Sequence, residues 1–293
     1  MSVLVCENIT KKVKRKTLVS NFTFNFLDNQ IYAMVGGDDS GRDELLQILS
    51  AQVRPDSGTV WLDGEELYGN MRMNKRLCYI SEATSFPRHF RVKNIFRLMS
   101  LLYPKWDNAY AFELCEHFNI RTRRTFGSLK ENERILLGGI LGLASRANIT
   151  IFGSVLDRID LKDRHDFFNF VYSHHTRYPR TLIIGTDKVD EIETLLDKVL
   201  FLDKGRLFEA FTVKHIKNNF RLLSGKSEVL KSLISDLKVI GAEERYNILT
   251  VCIAKSLTKD EIRKFQKYMI KISEAPIQKV FIYLLELRGK KGL

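Results

Sequence analysis

The stretch Ile31–Leu49, IYAMVGGDDSGRDELLQIL, decides how this chain is read. Ile31 to Val35 is an unbroken apolar run bounded by a glycine turn, the pattern of a buried strand, and the helix after it presents Leu45, Leu46, Ile48 and Leu49 as its apolar positions. Gly36 and Gly41, with four residues between them, keep the spacing of a phosphate-binding loop. In such a loop the backbone N–H groups at a helix N-terminus hold phosphate, a lysine reaches the β/γ phosphates and a hydroxyl residue reaches magnesium. Here the two residues after Gly41 are Arg42 and Asp43. The candidate nucleotide-binding residues are therefore Gly36, Gly37, Asp38, Asp39, Ser40, Gly41, Arg42 and Asp43, a degenerate loop with its frame kept and its chemistry altered. Two like charges about 5 Å apart repel by roughly 3 kcal/mol at an effective dielectric of about 20, so Asp38, Asp39 and Asp43 oppose an anionic ligand. A carboxylate can also cap the orphan N–H groups itself. Asp39 or Asp43 is accordingly expected to occupy the anion position.

Outward from this stretch, 2–9 and 18–26 alternate apolar with polar and read as paired strands. Short strands follow at Thr59–Leu62, Leu77–Ser81, Ile149–Phe152 and Thr181–Gly185. Helical periods cover Val92–Phe118 (interrupted at Pro104), Leu129–Ser145, Asp163–Thr176 and Val189–Leu196. Val199–Leu202 and Leu207–Phe211 form a hairpin around Asp203-Lys204-Gly205-Arg206. Apolar strands alternating with helices predict a mostly parallel α/β sheet. From about Thr212 the pattern changes to strand-like pieces (Phe220–Leu223, Ile248–Ile253) and amphipathic helices (Ser227–Asp236, Thr258–Ser273), a separate small α+β unit.

With 293 residues, 44% of them hydrophobic, the chain is long enough for one large domain plus a small one. The net charge of +12 is compatible with nucleic acid, an anionic membrane face or an acidic partner, but a basic cytoplasmic protein with solvated lysines is the preferred reading. Its densest cluster, Lys11, Lys12, Lys14, Arg15 and Lys16, reads as a hairpin tip without the interleaved aromatics of a base-stacking surface, so no nucleic-acid partner is expected. Cys6, Cys78, Cys115 and Cys252 form no Cys-x-x-Cys pair, which argues against a zinc site or a disulfide framework. The longest apolar run, Ile135–Ala144, is shorter than the roughly 20 residues a spanning helix needs. The expected setting is intracellular. His165, His174 and His175 lack the spacing of a metal pair and read as surface histidines; Ser154 lacks a nucleophile elbow. Gly138, Gly139 and Gly142 on one helix suggest close packing on the sheet.

The order of elements resembles the ATP-binding cassette of ABC transporters. The nearest type is the bacterial family with a small C-terminal extension, exemplified by the ATP-binding subunits of bacitracin-resistance and Ytr-type exporters. The framing text carries the resemblance: ILSAQVRPDSGTVWLDGEEL (48–67), LLYPKWD (101–107), LASRANITIF (143–152), VDEIETLLDKVLFLDKGRL (189–207) and APIQKVFIYLLELRG (275–289). It implies a P-loop NTPase-like α/β cassette over residues 1–211, with a helical subdomain at about 84–145, and a small α+β C-terminal accessory domain over 212–293. Position by position, it also implies extensive loss. Val13 replaces the adenine-stacking aromatic, Arg42 the loop lysine, Asp43 its hydroxyl and Glu82 the magnesium-linking glutamine. Leu129-Lys130-Glu131-Asn132-Glu133 replaces the signature Leu-Ser-Gly-Gly-Gln. Gly153-Ser154 replaces the Walker B Asp-Glu pair, Val155 the proline after it and Asp187 the switch histidine. Asp160 alone keeps its D-loop identity. Phe86, Phe90, Phe96 and Leu101 correspond to a permease-docking groove or to ordinary subdomain core, and the residues leave both open.

Taken together, these replacements predict no catalytic residues, no metal site and no required cofactor, with ATP and magnesium bound only if nucleotide binding outlasts hydrolysis. The expected protein is a cassette without ATPase activity, structural or regulatory partner of a membrane permease subunit or a paralogous ABC ATPase. It is expected to be dimeric and peripheral on the inner face of the cell membrane. Two alternatives stand: a divergent ABC ATPase that hydrolyses ATP slowly to power export, and a cytosolic binding module without a transporter.

Overall fold

The computed structural model describes residues 4–37 and 39–290, so Asp38 of the candidate loop and residues 2 and 3 of the first expected strand lie outside the described residues. The chain divides into two compact units, the first ending at Ala210 and the second beginning at Phe211.

The first unit opens with β1 (Leu4–Val13) and β2 (Lys16–Phe26), an antiparallel pair whose tip carries Lys14 at φ 55°, as the basic cluster predicts. Lys11 pairs with Asp56 at 2.9 Å. Then come β3 (Ile31–Val35), α1 (Arg42–Leu49), β4 (Ser57–Leu62), β5 (Glu65–Glu66), α2 (Met71–Asn74) and β6 (Leu77–Ile80). A helical section follows with α3 (Val92–Leu102), α4 (Asn108–His117) and α5 (Glu131–Ala144). The unit closes with β7 (Ile149–Phe152), α6 (Leu161–Arg177), β8 (Thr181–Gly185), β9 (Lys198–Asp203) and most of β10 (Arg206–Thr212), whose last two residues fall past the boundary. One sheet has the order β2-β1-β4-β5 and the other β10-β9-β3-β8-β7-β6. In the second, β9, β3, β8, β7 and β6 run parallel.

The register of that sheet decides where chemistry can occur. Ile31 faces Leu182, and Ile149 faces Thr181, so β3, β8 and β7 begin and end nearly level. Their C-terminal ends bring together the residues after Val35, Phe152 and Gly185. Their N-terminal ends bring together Asp28-Asn29, Arg146–Asn148 and Tyr178–Arg180. Every residue of β3, β7 and β8 is buried, as expected of a sheet covered on both faces.

The second unit contains α7 (Val213–Asn219), β11 (Phe220–Lys226), α8 (Ser227–Leu233), β12 (Val239–Arg245), β13 (Ile248–Ala254), α9 (Lys259–Lys267), β14 (Lys271–Glu274) and α10 (Ile277–Lys290). Its sheet has the order β12-β13-β11-β14, all neighbours antiparallel. Leu223, Leu230, Val251, Ile253 and Phe265 form its core.

Several expectations change. The helix read at Val189–Leu196 is two 3₁₀ turns, Val189–Glu191 and Glu193–Leu195; apolar residues three apart serve a 3₁₀ period as well as an α one. The helix read to Ser273 ends at Lys267, and β14 follows. Phe96 is core rather than groove, while Leu101 is exposed. His174 is not a surface residue: it is buried, with its ring stacked on Tyr110 at 4.4 Å. The α5 glycines pack as expected, on two neighbours. A Cβ on Gly138 or Gly142 would meet Ile80 or Phe152 of the sheet, and one on Gly139 would meet Phe167 of α6.

At Gly142 that Cβ would lie 2.5 Å from the buried Phe152 ring. We expect Gly142→Ala to lose about 1–3 kcal/mol in chemical denaturation through overpacking, although alanine is the better helix former by about 1 kcal/mol. A more stable variant would show that the ring yields freely. Burial, followed by the charges of Arg180 and Arg146, lowers the His174 pKa from 6.5 to about 3. Because the folded value lies below the unfolded one, the contribution is present above about pH 6.5 and is lost as pH falls towards 3. His174→Phe, which keeps a ring against Tyr110, should therefore flatten the acid limb of the stability–pH curve in that window; an unchanged limb would contradict the assignment.

Candidate functional site

Gly36 through Asp43 occupy the turn from β3 into α1, at the C-terminal edge of the parallel sheet. The backbone demands its glycines. Gly41 has φ 76°, and a Cβ there would lie 1.9 Å from the Leu18 carbonyl oxygen of β2. A Cβ on Gly36 would lie 2.5 Å from Ser40. The Gly205 N–H donates to the Ser40 carbonyl at 2.9 Å and the Ser40 N–H to the Gly37 carbonyl at 2.9 Å. The Arg42 N–H reaches the Ser40 hydroxyl at 3.4 Å.

The expected cap is not formed. No side chain caps α1, and Asp39 is exposed. The carboxylate that answers the loop comes from the turn after the neighbouring strand, β8. Arg42 is 5% exposed, and its Nη1 donates to the Gly36 carbonyl at 3.0 Å and to Asp187 Oδ1 at 2.5 Å. Its Nε reaches Asp43 Oδ1 at 3.4 Å. Burial works against the Arg42 charge, but Asp187 and Asp43 outweigh it and hold its pKa above the ordinary arginine value. The physical reason is the preference of a buried guanidinium for a hydrogen-bonded carboxylate over an uncompensated site.

Asp187 is aimed by a residue that sequence reasoning passed over. Asp157 Oδ1 accepts from the Thr186 hydroxyl at 2.7 Å, and Asp157 Oδ2 accepts from the Asp187 N–H at 2.8 Å. Lys188 Nζ donates to the Asp157 carbonyl at 2.9 Å. Burial raises the Asp157 pKa, against the lowering effect of the Thr186 and Asp187 hydrogen bonds. The turn after β8 is thus fixed from the turn after β7, and Asp187 faces Arg42.

Beside the loop, a cavity of about 300 Å³ is lined by Asp43, Ser81, Glu82, Gly153 and Ser154 among others. No cation is among its described lining residues. Glu82 accepts from Arg158 Nη1 at 2.7 Å, and Arg158 also pairs with Glu131 at the start of α5. The Asp160 N–H donates to Asn132 Oδ1 at 3.0 Å, and Asn132 Nδ2 donates to Asp163 at 2.8 Å. Glu133 accepts from the Lys130 N–H and from Arg124, each at 2.6 Å. The residues at the signature positions therefore bond within their own chain. Val13 is half-exposed at the hairpin tip. The visible sequence signal for the Arg42–Asp187 pair was the simultaneous change of two positions to opposite charges. Arg158 had no such signal. No group of three metal-ligating side chains occurs among the described residues, and no helix among them is long and apolar enough to cross a membrane.

A glycine loop between the first strand of a parallel sheet and its helix, with a helical section inserted before β7, defines an ATP-binding cassette. Residues 19–225 match the ABC transporter family, and the chain belongs to it as a protein built like an ATP-binding subunit. It is similar to the ABC transporter ATP-binding protein YtrB of Bacillus subtilis (strain 168), 20% identical over 287 residues and covering 97% of each chain. It is also similar to the energy-coupling factor transporter ATP-binding protein EcfA2 of Mycoplasma genitalium, 23% identical, covering 88% of this chain and 89% of the relative. Among solved structures, an ATP-binding subunit of an ABC transporter superposes with a TM-score of 0.66 at 14% identity, over 73% of this chain and 92% of that one. The dimeric cassette MJ0796 bound to ADP and Pi superposes with a TM-score of 0.64 at 14% identity, over 72% and 98% respectively.

A double-mutant cycle with Arg42→Ala and Asp187→Ala measures the central pair. With one partner buried and the other half-exposed, we expect a coupling of about 1 kcal/mol or more, above that of a surface pair. A coupling near zero would mean that the Gly36 carbonyl alone holds Arg42.

Proposed function

We propose that this chain is an ABC cassette without ATPase activity, acting as a structural or regulatory partner of a membrane permease or of a paralogous cassette at the inner membrane face. The observation that carries this reading is the Arg42 guanidinium, closed onto Asp187 with Asp43 beside it. The family normally binds ATP with magnesium, and the residues present here do not fit that ligand. The cation at the loop-lysine position is neutralised by a carboxylate in its own fold. Asp43 adds negative charge where the loop hydroxyl belongs, and each such charge at about 5 Å from a phosphate opposes it by roughly 3 kcal/mol. Gly153 and Ser154 supply no carboxylate to hold magnesium through water or to polarise an attacking water.

Retention of the whole scaffold alongside this loss supports a role that needs the shape of a cassette. The names of YtrB and EcfA2 connect similar proteins to transporters, and the dimeric state of MJ0796 supports a cassette-to-cassette contact for this chain also. Within the chain, the hydrogen bonds of Arg158 and Asn132 hold the start of α5 against the turns after β6 and β7, which suits an assembly part with one fixed arrangement.

Magnesium-dependent phosphate release from ATP, compared between the native chain and Arg42→Ala, tests the proposal. We expect both to sit at the buffer background. Turnover in the native chain that disappears in Arg42→Ala would replace this reading with that of a divergent ATPase.

A further inference from the structure

The opposite edge of the parallel sheet holds a second concentration of charge. A cavity of about 490 Å³ lies at the N-terminal ends of β3, β7 and β8. Its wall carries Lys105, Arg146, Arg177 and Arg180, with Tyr178 between them in sequence and space, and a single carboxylate among its described lining residues, Asp28. Like charges gather in a folded protein only at an electrostatic cost, and here two devices hold them together. The Tyr178 ring carries the Arg146 guanidinium 3.7 Å from its centroid and that of Arg177 at 5.3 Å. Arg146 is further tied to Asp107.

Arg180 is the decisive member. It is 5% exposed, and Nη2 donates to the Leu143 carbonyl at the C-terminus of α5 at 3.0 Å. Its Nε and Nη1 have no hydrogen-bond partner among the described residues. A buried guanidinium with two vacant donors and no carboxylate is expensive unless an anion completes it. The surroundings register the resulting field: Arg180 and Arg146 both act, after burial, to keep the neighbouring His174 uncharged.

We propose that this cavity is a binding site for a small phosphate-bearing polyanion. Arginine forks match the paired oxygens of phosphate. Four cations against two carboxylates, Asp28 in the wall and Asp107 on Arg146, leave an excess of two positive charges, which suits a ligand with two negative charges rather than a monocarboxylate. The volume falls within the roughly 300–1,000 Å³ of small-molecule sites. The depth of Arg180 places it beyond the reach of a flat protein surface. Low-dielectric walls lined by one sign of charge concentrate such an ion. The site is independent of the phosphate loop, which lies at the other end of the same strands.

The experiment is calorimetric titration of the full chain with magnesium-free pyrophosphate at fixed ionic strength, repeated for three variants. Lys105 and Arg177 are exposed, so K105E/R177E should fold normally and weaken binding about tenfold or more. Arg180→Met should abolish it, and Arg42→Ala should leave it unchanged. Saturable one-to-one binding with that pattern supports the site. Absence of saturable binding in the native chain overturns it. So does binding that is lost in Arg42→Ala yet kept in K105E/R177E, which would move the ligand to the phosphate loop.

Discussion

An arginine buried in a glycine loop must find an anion, and in this protein it finds one in its own chain. The contact between Arg42 and Asp187 joins the turn after β3 to the turn after β8, while Asp157 reaches from the turn after β7 to fix Asp187. Three strand ends that a shared ligand holds in a phosphate-binding protein are here held by side chains. The tight glycines at 36 and 41 remain necessary, because the loop still passes against Ser40 and the Leu18 carbonyl whatever it binds. The loop's glycine frame thus has a plain steric reason of its own.

The two edges of one sheet show opposite solutions to charge. At the C-terminal edge, Arg42 meets Asp187 and Asp43, and the adjoining cavity is lined by further acid. At the N-terminal edge, arginines outnumber carboxylates and one buried guanidinium keeps two donors vacant. Parallel strands in level register create both edges, since every loop that leaves a strand end meets the loops of its neighbours there. Only the first edge resembles the ligand-binding edge of other α/β sheets.

Much of this was legible in the sequence. The buried strands at Ile31, Ile149 and Thr181 announce themselves as apolar runs, and the resemblance to ABC cassettes rests on framing text that the family match supports. Less legible were elements with weak periodicity. β12 is an edge strand whose second half, Glu243-Glu244-Arg245, is exposed and polar, so nothing alternates to mark it. Of the site, each replacement could be read singly, but Arg42 and Asp187 are 145 positions apart and their contact needs the sheet order. The expectation that Asp39 or Asp43 caps the loop failed because a nearby carboxylate was preferred to a distant one that the fold brings closer. The missing i, i+4 pairing argues against a metal site at His174 but says nothing of its burial, and Tyr110, which stacks on it, comes from α4.

The most direct measurement is a crystal structure of the chain grown with millimolar magnesium ATP. Arg42 should remain on Asp187 and Gly36, with no phosphate on the Gly41 and Arg42 amides. A β-phosphate seated on those amides, with Asp187 swung away from Arg42, would contradict this reading.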